Sequence, residues 1–278
     1  MTKPETYTRW QVAGRSVLGA AHARAGMPCQ DAILWRKGDG VVVLAVADGH
    51  GSERSPRSDK GARIAVEVAA QLLYVLYADS GFAPGNLSPF KHYTEDQLPR
   101  AMVREWIERV KACHDANEGE SQQSENDVLV QYGSTLLAAL ATPEFLLFLQ
   151  LGDGDILTVA DDGSVTRPIP KDERLMANET TSLCTPHAWR EVRVAFQPIV
   201  EEPPALILVS TDGYANSFVS EQDFLKVGPD YLQLIREQGL EQVALNLEEW
   251  LTQASAQGSG DDITLGMICR RDAVGSSS

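Results

Sequence analysis

Positive charge is scarce: 24 Lys and Arg stand against 39 Asp and Glu, a formal charge of −15 at pH 7. Nucleic-acid binding relies on cations that neutralise phosphates and release counterions, so this balance argues against a nucleic-acid partner. Cysteine is also scarce. Cys29, Cys113, Cys184 and Cys269 lie far apart without CxxC spacing, which argues against zinc-finger patterns and a disulfide scaffold and fits thiols in a reducing compartment. No apolar run approaches the roughly 18 residues of a membrane span, and MTKPETYTRWQ contains no apolar leader region. These absences lead us to expect a cytoplasmic protein with no membrane partner, in which the sequons at Asn86 and Asn178 are not glycosylated. No Pro- or Gly-rich linker divides the 278 residues. Length alone allows one or two domains; we expect one over 1–278, with a core at about 8–270 and a disordered tail at about 272–278.

Periodicity supplies the elements. Val41–Ala47 is a continuous apolar run bounded by GDG and DG, as expected of a strand buried on both faces, and 136–141, 145–151 and 205–209 read alike. Only TPE separates the second run from the third, which predicts a hairpin and antiparallel pairing. Helical spacing predicts one long amphipathic helix over 58–78 and another over about 95–117. Gly239 then separates a shorter helix from one carrying Val243, Leu247, Trp250 and Leu251. Helices segregated from antiparallel strands indicate an α+β fold.

Four aspartates stand at the ends of apolar runs: Asp48 after VVVLAVA, Asp153 after FLLFLQLG, Asp212 after ALILVST and Asp261 before ITLGMIC. Three follow a strand-like run and one precedes it, so a last strand antiparallel to the others gathers all four on one rim. Unit charges about 4 Å apart repel by roughly 4 kcal/mol at an effective dielectric near 20, so the cluster requires cations or raised pKa values. All-oxygen ligands select hard ions: magnesium, manganese or calcium.

Around these aspartates ADGHG (47–51), GST (133–135), GDGD (152–155), STDG (210–213) and GDDITL (260–265) follow one another in order, after an upstream HARAGMPCQDAI (22–33). The whole chain thereby resembles the metal-dependent protein phosphatases of the 2C type. That resemblance implies two central antiparallel β-sheets sandwiched between pairs of α-helices, with metals at one edge. It implies two Mn2+ or Mg2+ ions held by Asp48, the Gly49 carbonyl, Asp212 and Asp261, with Asp262 as an alternative to Asp261, and Asp153 near a third ion found in some members. Phosphoserine and phosphothreonine proteins become the expected substrates, hydrolysed by a metal-bridging water without a covalent intermediate. His50 becomes the general acid, and an opposing Ser/Thr kinase the expected counterpart. The chain departs from the family's pattern in its first motif, where Gln30 and Asp31 stand in place of an acidic pair. The arginine that often grips phosphate is out of register, leaving Arg24 or His22 as phosphate-binding candidates, of which the guanidinium is the better match. Ser134 and Thr135 read as structural, and 161–196 as a variable flap beside the site. The alternative is a weak or inactive pseudophosphatase that binds phosphoproteins.

Overall fold

The computed structural model describes residues 9–79, 86–118, 123–171 and 181–274. The continuous apolar runs become strands buried along their whole length: β3 (Val41–Ala47), β4 (Leu136–Ala141), β5 (Phe145–Leu151) and β9 (Leu206–Ser210). Around them lie β1 (Trp10–Val17), β2 (Ala32–Gly38), β6 (Asp155–Val159), β7 (Val165–Thr166), β8 (Arg193–Pro198) and β10 (Ile263–Arg270). Two five-stranded sheets result, ordered β1-β10-β9-β6-β7 and β2-β3-β4-β5-β8. Every described pairing is antiparallel. The expected β4–β5 hairpin is present, and the Thr142 hydroxyl accepts from the N–H of Phe145 at 3.0 Å in its turn.

Strand periodicity sorts the side chains into layers. Val42, Leu44 and Val46 meet Leu137, Phe148, Ile207, Val209 and Ile268 between the sheets. Val41, Val43 and Ala45 point the other way, under α2 (Ser58–Asp79) and α3 (Ser88–Glu118). On the far side α7 (Val227–Gln238) and α8 (Leu240–Gln257) cover Leu206, Leu208, Leu265 and Met267. Short helices α1 (Ala20–Ala25), α4 (Glu125–Gln131), α5 (Asp212–Ala215) and α6 (Glu221–Leu225) complete the set. This is the expected α-β-β-α sandwich.

Three expectations are modified. The helix expected from about Glu95 begins at Ser88 and accommodates Pro99 in its interior. The presumed flap contributes ordered sheet, because β8 pairs with β5 from Phe145↔Pro198 to Gln150↔Arg193; residues 172–180 lie outside the described residues. The presumed tail starts with a 3-10 turn at Arg271–Val274 in which Ala273 is buried. In addition, α2 is by length and composition alone sufficient to cross a membrane, contrary to the expectation that no segment comes close. Here Ala62, Ala65, Val68, Ala69 and Leu73 are packed in the core.

Candidate metal centre

Antiparallel register decides which strand ends meet. β2 and β3 pair Ala32 with Ala47, so Asp31, just before one, stands beside Asp48, just after the other. β10 and β9 pair Leu265 with Ser210, which carries the Asp261–Asp262 loop alongside Asp212. β6 and β9 pair Asp155 with Ser210 and bring Asp153 to the same rim. The four expected aspartates are together.

Hydrogen bonds fix the backbone beneath them. Asp48 N–H donates to Thr135 Oγ1 at 3.0 Å, Thr135 N–H donates to the Asp48 carbonyl at 2.8 Å, and Gly49 bridges to Ser134. Ser134 and Thr135 are therefore structural, and Thr135 orients a site residue directly. Gly49 has no room for a side chain, since an added Cβ would stand 2.7 Å from the Ser58 carbonyl at the start of α2. Thr211 Oγ1 donates to Asp31 Oδ2 at 2.7 Å and accepts from the Thr264 N–H at 2.9 Å. One hydroxyl thus ties the start of β2 to the β9 and β10 ends.

The carboxylates raise one another's proton affinity. Burial, then the charges of Asp262 and Asp212, outweigh the hydroxyl hydrogen bonds and push Asp31 up to about 8. Asp31 retains some solvent contact but is densely surrounded by protein atoms. Burial and the charges of Asp31 and Asp212 hold Asp48 well above the usual carboxylate range. Asp212 is raised by burial and by Asp153, and a hydrogen bond with Asp48 counters part of the rise. Among the described residues no Lys or Arg forms an ion pair with Asp31, Asp48, Asp212 or Asp261.

This donor set fits hard divalent cations. The ligands are all oxygen, and a cation would relieve the repulsion among them. The Oε1 of Gln30, a further buried oxygen with no hydrogen-bond partner, lies beside Gly51. Among the described residues no three His, Cys, Asp or Glu side chains already close into a metal cage. Coulomb coupling acts over distances that water ligands span, and magnesium-like ions keep several waters and take only one or two carboxylates each.

Asp261 and Asp262 differ in their surroundings, although Asp261 Oδ1 also accepts from the Asp262 N–H at 2.8 Å. Both oxygens of Asp262 are occupied by backbone donors, Gly19 N–H at 2.6 Å and Gln30 N–H at 2.7 Å, and the residue is buried. Asp261 keeps about half of its side-chain exposure and remains the ligand candidate. His50 lies just beyond Gly49, where its N–H donates to the Gly133 carbonyl at 3.2 Å. Burial lowers its pKa, with the nearby Asp153 charge opposing.

The two phosphate-binding candidates separate. Both sit on α1, but His22 is turned onto the carboxylates, Nδ1 3.0 Å from Asp262 Oδ1 and Nε2 3.7 Å from Asp261 Oδ1. His22 is thus held against the carboxylates of the Asp261–Asp262 loop. Arg24 is exposed in the last turn of the helix. The sequence reading also left Asp31 out of the ligand set. Its signal was position, immediately before the strand that pairs with the Asp48 strand. All four cysteines are free thiols; Cys184 and Cys269 are buried, whereas Cys29 and Cys113, also expected inside, are only partly so.

A model of the protein phosphatase 2C family matches residues 18–252. No curated protein matches the sequence. Solved structures share the fold at low identity. The serine/threonine phosphatase of S. agalactiae superposes with a TM-score of 0.61 at 16% identity, over 94% of this chain and 99% of that one. The Mycobacterium tuberculosis serine/threonine phosphatase PstP gives 0.55 at 17% identity, over 94% and 98%. A PstP catalytic domain in complex with two manganese ions gives 0.54 at 17%, over 94% and 97%. An α-β-β-α sandwich with an acidic rim defines the class, a phosphatase of the protein-serine/threonine kind. The chain belongs to the protein phosphatase 2C family.

Proposed function

We propose that the chain hydrolyses phosphoserine and phosphothreonine in proteins with Mn2+ or Mg2+ held by Asp48, the Gly49 carbonyl, Asp212 and Asp261, and with Asp153 serving any third ion. The observation that carries this reading is the convergence of Asp31, Asp48, Asp212 and Asp261 on one rim with no Lys or Arg paired to them among the described residues, Asp31, Asp48 and Asp212 being at raised proton affinity. Paired divalent ions supply a lowered water pKa and neutralisation of phosphoryl charge, so no enzyme nucleophile is required. The chain's own residues do the rest. Thr135 and Thr211 hold Asp48 and Asp31 in place. His50 stands within the field of Asp153 as proton donor toward the leaving alkoxide. Arg24 is the phosphate-gripping candidate, its guanidinium matched to two phosphoryl oxygens.

Hydrolysis of p-nitrophenyl phosphate and of a phosphothreonine peptide, each with Mn2+, Mg2+ or EDTA, tests the proposal. Turnover with metal and none in EDTA supports it. Tight phosphopeptide binding without turnover under any metal replaces it with the pseudophosphatase, the reading that Gln30 in an otherwise acidic position favours.

A further inference from the structure

Asp262 is a buried carboxylate that binds no metal in the reading above, yet it occupies the junction of the site. Its Oδ1 accepts from Gly19 N–H at 2.6 Å and its Oδ2 from Gln30 N–H at 2.7 Å. Gln30 precedes Asp31, so Asp262 ties the backbone that carries Asp31 to the loop that carries Asp261. Three more hydrogen bonds strap α1 to the same loop. Ala21 N–H donates to the Gly260 carbonyl at 2.7 Å, Ala20 N–H to Ser255 Oγ at 3.0 Å, and Ser255 Oγ to the Asp261 carbonyl at 2.8 Å. The approach is tight enough to require Gly19, where a Cβ would stand 2.3 Å from the Asp261 carbonyl carbon. His22 presses from α1 on both carboxylates of the loop, at 3.0 Å from Asp262 and 3.7 Å from Asp261. Its Nδ1 is buried and makes no hydrogen bond, although it lies 3.0 Å from Asp262 Oδ1.

We propose that His22 and Asp262 form a buttress that sets the spacing between the Asp31 and Asp261 carboxylates, and that both are positioning residues for the metal centre. The inference rests on the proposed metal-dependent function and adds a role for two residues that touch neither ion nor substrate. The physical basis is general: partners behind a metal ligand fix its orientation, and their loss typically costs about 10- to 100-fold in metal affinity. Asp262 has oxygens aimed at two backbone donors. An amide in its place would turn an N–H2 toward one of them.

Mn2+ binding to wild type, His22→Ala, His22→Asn and Asp262→Asn is measured by isothermal titration calorimetry, with apo melting temperatures recorded alongside. We expect about a tenfold weaker Kd for His22→Ala and for Asp262→Asn. Recovery of most of that loss is expected in His22→Asn, whose polar side chain again presses on the Asp262 carboxylate. The two losses should not add when combined, because both act through one junction. If His22→Ala binds Mn2+ like wild type, or if its loss persists in His22→Asn and merely tracks apo stability, the buttress is overturned. Should Asp262→Asn fail to fold, the half-buried His22 pair carries the test alone. Absence of Mn2+ binding by the wild type would instead overturn the proposed function, and the buttress with it.

Discussion

Strand β10 joins two acidic regions that handle charge in opposite ways. At its far end Arg270 is buried and surrounded by Asp272 at 2.7 Å, Asp161 at 2.8 Å and Glu202 at 2.9 Å, with Arg236 also on Asp161 at 3.1 Å. At its near end Asp31, Asp48, Asp212 and Asp261 stand together with no such cation among the described residues. Eight residues of strand, roughly 25 Å, separate the two. Acidity by itself therefore says nothing about function in this chain. A carboxylate cluster furnished with arginine needs nothing more, whereas one built without it costs stability until something cationic arrives. Within GDGD, Asp155 is paired with Arg167 at 2.7 Å.

Removing a charge should have opposite consequences for stability at the two ends. Asp48→Asn and Asp212→Asn are expected to reduce Mn2+-dependent hydrolysis of p-nitrophenyl phosphate more than 100-fold, beyond what the loss of an outer partner causes. In EDTA the same variants should melt at a higher temperature than wild type, because they remove repulsion. Activity assays and thermal melts on one preparation check both. A variant that loses activity and stability in parallel breaks the contrast.

The next largest effect is expected from the furnished end. Arg270→Ala leaves Asp161, Glu202 and Asp272 facing one another and deletes a buried side chain. Removing one partner of a buried ion pair costs roughly 3 kcal/mol or more. The partners here are half exposed, which places the expectation at the low end. Denaturant unfolding measures it, and the activity of the folded fraction should stay at the wild-type level.

The pH dependence of the apo protein sharpens the comparison further. Burial and mutual repulsion raise Asp31 to about 8, and Asp48 and Asp212 also lie above their ordinary values. Between the ordinary carboxylate pKa near 4 and the folded value of about 8 for Asp31, the unfolded chain releases protons that the folded protein retains. Stability in EDTA therefore falls as pH rises through that window and is greatest on its acid side. Saturating Mn2+ should abolish the fall, as melting temperatures from pH 5 to pH 8 with and without metal will show. An identical slope in both series would mean that the carboxylates titrate without reference to the ion.

Much of this was legible before folding, and what was not has a physical reason. β3, β4, β5 and β9 are buried on both faces, so their sequences are continuous apolar runs that turn residues bound on either side. β2 and β8 lie at a sheet edge with part of their side chains in solvent; ILWRK and RVAFQP carry no such run, and β8 was absorbed into the flap. Asp48, Asp212 and Asp261 could be found because each abuts a legible strand. Asp31 abuts an illegible one, and the hydroxyl that holds it comes from Thr211, 180 positions away. In sequence His22 reads as an anion ligand because it is an imidazole near an expected phosphate site. Only the strap of α1 over the Asp261–Asp262 loop turns it toward carboxylates.

The smallest expected effect concerns Arg24, the better matched of the two phosphate-binding candidates. Arg24 is exposed on a short helix whose other members grip the metal loop, so it can approach a phosphoryl group without any part in holding the ions. A solvent-exposed charge pair contributes at most about 1 kcal/mol, which corresponds to about a fivefold change. Arg24→Ala should therefore raise KM for a phosphothreonine peptide a few-fold and leave kcat unchanged, the signature of binding that is equal in ground and transition states. Mn2+ affinity should not move, in contrast with His22→Ala on the same helix. If kcat falls instead, Arg24 acts on the reaction itself. If neither constant changes, the phosphate is held by the ions and the backbone alone, and the acidic rim would then take its anionic substrate entirely through the cations it recruits.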